Sequence, residues 1–170
     1  TFDRKVAVLH LDTGTITTPA AVHCTGEPGD LVKALKRHFR YTERYTVVTA
    51  PLPAAVRAEL GARQTVVCDT EAPPHRLFWT PDHRAVFSGA DQKRPPARLR
   101  DQTLVQRTGQ LMYELSRLHP AISGTAPAFG WDTPLASPTD DVLYAGSHRN
   151  FPHQHFALGT AHNPARAFLA

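Results

Sequence analysis

The residues best able to do chemistry lie towards the C-terminus. Arg149 presents a planar guanidinium, suited either to hold a carboxylate through two parallel hydrogen bonds or to brace a loop. His148, His153, His155 and His162 gather in the same stretch. Only His153 and His155 have compact spacing, and strand alternation would put both on one face. No Cys, Asp or Glu pattern beside them completes a zinc set, so no metal site is expected. Asp140 and Asp141 read as turn formers rather than an acid–base couple. Tyr45 and Trp131 are the aromatic candidates for a pocket wall, with core packing the expectation for Trp131. No P-loop, nucleophile elbow or H-E-x-x-H pattern is present. No G-x-G-x-x-G occurs among the 10 glycines.

The elements that must position these residues are mostly strands. Val6–Leu11 and the strand beginning at Ile16 flank the turn Asp12-Thr13-Gly14-Thr15 and read as a hairpin. The apolar run Ala20–Cys24 has the composition of a buried strand. Asp30 is placed to cap a helix running to Phe39. Tyr41–Ala50 is rich in β-branched and aromatic residues and reads as a strand. Ala54–Leu60 reads as a short helix ended by Gly61. Thr65–Asp69 is a further strand. His75–Trp79 and Ala85–Gly89 flank Pro81-Asp82-His83 as a second hairpin. Leu104, Leu111, Leu115 and Leu118 share one face of a long helix over Leu99–Leu118. Gly109 inside it is expected to permit close packing against a strand. Pro127–Leu135, Tyr144–Gly146 and Phe156–Leu158 read as strands, and Ala165–Ala170 as the start of a helix. Hairpins outnumber βαβ units, which argues for an α+β fold on an antiparallel or mixed sheet with one long helix.

Size and composition bound the reading. At 170 residues, the chain can form one full domain or one domain plus part of another. The 15 prolines favour turns and strand edges over a helical bundle. The net charge of +4 is spread along the chain; Lys33, Lys36, Arg37 and Arg40 read as a solvated face, so no nucleic-acid surface is expected. Cys24 and Cys68 sit in apolar runs and are expected to be buried free thiols, which suits a reducing, cytoplasmic compartment. No apolar run reaches membrane-spanning length, so no membrane contact is expected. A start in mid-strand pattern, without Met, reads as a truncated or processed chain.

Several segments, in order, carry a resemblance. Ala20-Ala21-Val22-His23-Cys24-Thr25-Gly26 is similar to an A-x-x-V-x-A-T-G strand, and Tyr45–Leu52 to a strand entering a second domain. Asp82–Asp91 is similar to a D-G-R-x-x-x-G-G hairpin, and Leu115–Pro120 to the end of a long helix. The closing segment Leu143–Pro152, continued by Phe156–Asn163, is the last match. Together they resemble the C-terminal half of FAD-dependent oxidoreductases of the D-amino-acid oxidase and glycine oxidase superfamily.

That resemblance implies boundaries at 1–40 (part of an FAD-binding domain), 41–137 (a substrate-binding domain) and 138–170 (the C-terminal part of the FAD domain). It implies FAD as cofactor, with Thr25, Gly26, Gly146, His148, Arg149, Gly159, His162 and Asn163 facing it. For His162 a hydrogen-bonded structural role stays open. Tyr45 and Arg149 are the implied substrate contacts. The implied reaction is oxidation of an amine or amino acid by hydride transfer to FAD. The missing FAD-domain half, or a second copy of the chain, would be the partner. This stretch alone is expected to be inactive, because the pyrophosphate-binding unit is absent from it. Ala161 and Pro164 stand where the family carries glycines. They ground the alternative: a non-catalytic, flavoprotein-derived module serving as scaffold or partner-binding domain.

Overall fold

The structure is a computed structural model and describes residues 5–61 and 65–159, the side chain of Leu31 apart. Its chain divides into two compact units, Thr1–Tyr41 with Leu135–Ala170, and Thr42–Pro134.

In the first unit, β1 (Ala7–Leu11) and β2 (Gly14–Thr18) form the expected antiparallel hairpin, with Leu11 opposite Gly14. A separate sheet holds β3 (Ala21–Gly26), β9 (Tyr144–His148) and β10 (Phe151–Leu158) in the order β3-β10-β9. β3 runs parallel to β10, and β9 antiparallel to it. Val32, Phe39, Ala136, Phe156 and Leu158 form the core beside it. Asp30 does not cap an α-helix. The segment Asp30–His38 is a 3₁₀ helix kinked at Val32 and preceded by Gly29, and the Asp30 carboxylate accepts from Lys36 Nζ at 2.8 Å instead.

The chain enters the second unit within β4 (Phe39–Thr49) and leaves it within β8 (Pro127–Pro138). Between them lie α1 (Ala54–Glu59), β5 (Val67–Cys68), β6 (Arg76–Trp79), β7 (Ala85–Lys93) and α2 (Arg100–Leu118). The sheet order is β5-β6-β7-β4-β8, with antiparallel β5–β6, β6–β7 and β7–β4 pairs. Alternation sends Tyr45, Val47, Leu77, Trp79, Ala85 and Phe87 to one face, where Leu111 and Leu115 of α2 pack on them. Each of those two leucines is 0% exposed and contributes about 1.5–3 kcal/mol by burial. One long helix and mixed sheets are therefore observed, as the periodicities predict.

Several expectations fail, those for Cys24, Cys68, the Ala20–Cys24 run and Trp131 because their strands lie at sheet edges. Cys24 and Cys68 are exposed, not buried. Cys24 sits on β3, which among the described residues pairs on one side only, and Cys68 on the short edge strand β5. The Ala20–Cys24 run is a strand but not an interior one, with Val22 68% exposed. Trp131, on the edge strand β8, is 43% exposed and anchors no core. Gly109 has no neighbour within 4 Å of the place its Cβ would take; the close approach to α2 occurs at Gly130, against Thr108. Thr65–Asp69 contributes only the two residues of β5. Ala165–Ala170 lies outside the described residues.

Candidate functional site

In the first unit, the parallel pair β3 and β10 end side by side. Leu158 stands opposite Gly26, and the Gly159 N–H points at the Gly26 carbonyl at 3.5 Å. Both glycines are left-handed, at φ of 75° and 83°. The two positions differ in surroundings. A Cβ on Gly159 would meet Pro138 at 2.5 Å, whereas one on Gly26 would meet nothing within 4 Å. Gly26 therefore leaves a bare backbone turn open to a neighbouring group. Thr25 is committed locally, its hydroxyl donating to the Glu27 carbonyl at 2.8 Å. Carboxyl ends of parallel strands are where open α/β sheets bind ligands.

The other expected residues of this unit lie away from that end. Gly146 pairs with Phe156 in mid-sheet, at φ 128°. His148 pairs with Phe151, its ring stacked on Phe151 at 5.4 Å and its Nδ1 accepting from the Asn150 N–H. Arg149 is exposed in the turn between β9 and β10. From Tyr144 to His148 is four residues of strand, about 13 Å, so the structure separates His148 and Arg149 from the Gly26–Gly159 end. His162 and Asn163 lie outside the described residues, as do Ala161 and Pro164. His153 and His155 both lie on β10. The β9–β10 register shifts between Phe151 and His155, His153 is buried, and no metal-ligating group among the described residues contains either.

In the second unit, Tyr45 belongs to the core rather than to an open wall. It is 1% exposed, its hydroxyl accepts from Gln92 Nε2 at 2.9 Å, and burial pushes its phenol pKa above the usual 10.0. The sheet face opposite α2 carries polar groups. Cross-strand register aligns Thr46 with Ser88, Ser88 with Arg76, and Arg76 with Cys68. Directly opposed residues in antiparallel strands project to the same side, so these four form one row across β4, β7, β6 and β5. Val48, Val86 and Phe78 form the apolar row beside it. Arg76 is half-buried, and its guanidinium forms no hydrogen bond or ion pair among the described residues. The signal was present in the sequence. Leu77 and Trp79 are the core-facing pair of that strand, which leaves Arg76 and Phe78 on the other side.

A second polar system lies on the α2 face. From Tyr45 it runs through Gln92 to Arg107, which donates to Gln92 Oε1 and to Gln110 Oε1. Gln110 donates to Glu114 Oε1 at 2.8 Å, and Glu114 Oε2 stands 3.3 Å from His75 Nε2. His75 Nδ1 is 2.6 Å from Asp69 Oδ2. Burial raises the Asp69 carboxyl, but hydrogen bonds from the His75 ring and from the His75 and Glu71 backbone outweigh it and hold its pKa below 3.8. His75 drew no notice in the sequence because Glu114 lies 39 residues away and only the fold brings it to the Asp69–His75 loop.

Glu43 on β4 and Asp132 on β8 form a third group. Arg100 donates to both Asp132 oxygens, at 2.7 and 2.8 Å, and Arg94 Nε lies 3.1 Å from Glu43 Oε1. The Arg100 hydrogen bond holds Asp132 down to about 2, while burial and then Asp132 itself push Glu43 up. This pair ties neighbouring strands to the start of α2.

No protein-family model matches the sequence, and no curated protein matches it. Solved structures do share its fold. Glycine oxidase from Geobacillus kaustophilus superposes with a TM-score of 0.63 at 17% identity, over 96% of this chain and 43% of that one. L-amino acid deaminase from Proteus vulgaris, with its specific insertion deleted, gives 0.63 at 13%, over 98% and 40%. Fructosyl amine:oxygen oxidoreductase from Aspergillus fumigatus gives 0.60 at 14%, over 94% and 41%. The chain spans less than half the length of each of these three. The chain therefore shares the fold of a part of each of these three oxidoreductases.

Proposed function

We propose that the chain supplies the substrate-contacting sheet and the closing strands of an FAD-dependent amine or amino-acid oxidoreductase. The observation that carries the reading is Arg76, a guanidinium uncommitted among the described residues, in a row with Thr46 and Ser88 on a fold shared with a glycine oxidase, an L-amino acid deaminase and a fructosyl amine:oxygen oxidoreductase. Arg76 binds the carboxylate of an amino-acid substrate through charge-assisted hydrogen bonds. The Thr46 and Ser88 hydroxyls supply neighbouring donors and acceptors, and Val48, Val86 and Phe78 exclude water beside them.

In the first unit, the bare turn at Gly26 and the strand end at Gly159 fit close approach of a planar cofactor, because no side chain among the described residues comes within 4 Å of the Gly26 Cβ position. FAD, when bound, supplies the hydride acceptor for oxidation of the substrate's carbon–nitrogen bond. This chain's own part is to bind and orient: glycine turns at the cofactor, Arg76 at the carboxylate. Gly146, His148 and Arg149 extend the proposed cofactor contacts along β9 and its turn.

The test uses the longest native product that carries this sequence. Arg76→Ala should lower kcat/KM about tenfold or more for an amino acid, and leave an amine without a carboxylate within about twofold. Equal loss for both would remove Arg76 from the carboxylate role.

A further inference from the structure

We propose that the pocket between the Asp69–His75 loop and α2 is a divalent-cation site, with Asp69, Glu71 and His75 as its ligands and Glu114 orienting the histidine. The pocket has a volume of about 340 Å³ and lies wholly within the second unit, on the α2 side of the sheet. It is therefore on the opposite sheet face from the Arg76 row and independent of the reading given above.

Three carboxylates, those of Asp69, Glu71 and Glu114, line this pocket with one imidazole, and Arg117 is the one fixed positive charge in the lining. Such a wall favours a cation over an anion. One ligand atom from each of Asp69, Glu71 and His75 falls within 4.8 Å of the others. His75 Nδ1 is 2.6 Å from Asp69 Oδ2 and 3.9 Å from Glu71 Oε2. Ligand bonds of about 2.0–2.2 Å set ligand atoms about 2.8–3.6 Å apart, so the first distance must open and the second close, each by about half an ångström.

The imidazole is also held by contacts other than those two carboxylates. Its Cδ2 lies 2.1 Å from where a Cβ on Gly89 would stand, so β7 is bare where the ring lies. Phe87 stacks on it, centroids 5.3 Å apart and planes 9° from parallel. Nε2 faces Glu114 Oε2, an oxygen shielded from solvent that accepts no hydrogen bond of standard geometry. This is the arrangement of a ligating histidine: one ring nitrogen turned to a convergent set of oxygens, the other to a carboxylate that fixes the tautomer. A bound ion would take Nδ1, with Nε2–H left to donate to Glu114. The pocket is larger than an ion needs, and water completes the coordination.

The probe is Mn²⁺, which favours carboxylate oxygen over thiolate and so avoids the exposed thiols of Cys24 and Cys68. Titration of the full chain, followed by electron paramagnetic resonance and by broadening of amide NMR signals, should show one saturable site. Broadening should begin at residues 69–75 and around Glu114. Glu71→Gln, at an exposed side chain, should weaken binding about tenfold or more, as should His75→Gln. Glu59→Gln, on the exposed face of α1, should not change it. Absence of saturable binding, unchanged binding in Glu71→Gln, or first broadening at another histidine would each overturn the proposal.

Discussion

The ring of His75 occupies the place where Gly89 would carry a side chain, its Cδ2 2.1 Å from that Cβ position. Two residues remote from the catalytic proposal thus lock together: a loop histidine settles on the core face of β7 because the strand is bare there. Gly89→Ala must push the ring off Phe87 or bend the strand. It should cost about 1–3 kcal/mol in urea unfolding. Gly89→Ala combined with His75→Ala should recover part of that loss, and a double mutant no more stable than Gly89→Ala would contradict the packing account.

Gly159 is required on two grounds, a φ of 83° and the approach of Pro138. Gly159→Ala should lose about 2 kcal/mol or more, since a left-handed L-residue alone costs about 1–2 kcal/mol. Gly26 has the same backbone but open space. Gly26→Ala should therefore cost about 1–2 kcal/mol of backbone strain, with no steric addition. Denaturant midpoints of the two variants, compared directly, check the order.

Asp132 and Glu43 give opposite pH slopes. Arg100 holds Asp132 at about 2, below the usual 3.8, so its stabilisation is complete above pH 3.8 and lost as pH falls through 2. Glu43 is raised above its usual 4.5, so the protonated form is the better fit, and stability is lost as pH rises from 4.5 through the folded value. Asp132→Asn should flatten the acid limb of the urea midpoint between about pH 4 and 2. Glu43→Gln should remove the decline above pH 4.5. A wild-type slope retained in both variants would assign the pH dependence to other groups.

Local pattern carried much of the fold. Leu111 and Leu115 repeat at helical spacing and are the buried residues of α2, and the β1–β2 and β6–β7 hairpins follow from their turn residues. Edge position was not legible. Cys24 and Trp131 lie in strands with good local propensity, and only the sheet order reveals which side lacks a neighbour. The same holds for the polar sites. Arg76, Ser88 and Thr46 meet only through cross-strand register, and His75 meets Glu114 across 39 positions of chain. Periodicity assigns a residue to a face, but strand pairing decides which residues share it.

The most direct measurement is the flavin absorbance spectrum of the longest native product carrying this sequence, recorded anaerobically before and after adding amino acids and simple amines. The account predicts an oxidised-flavin spectrum that bleaches with at least one carboxylate-bearing amine and bleaches about tenfold more slowly or worse in Arg76→Ala. A colourless product, or a flavin that no amine reduces, would contradict the oxidoreductase reading and favour the non-catalytic module.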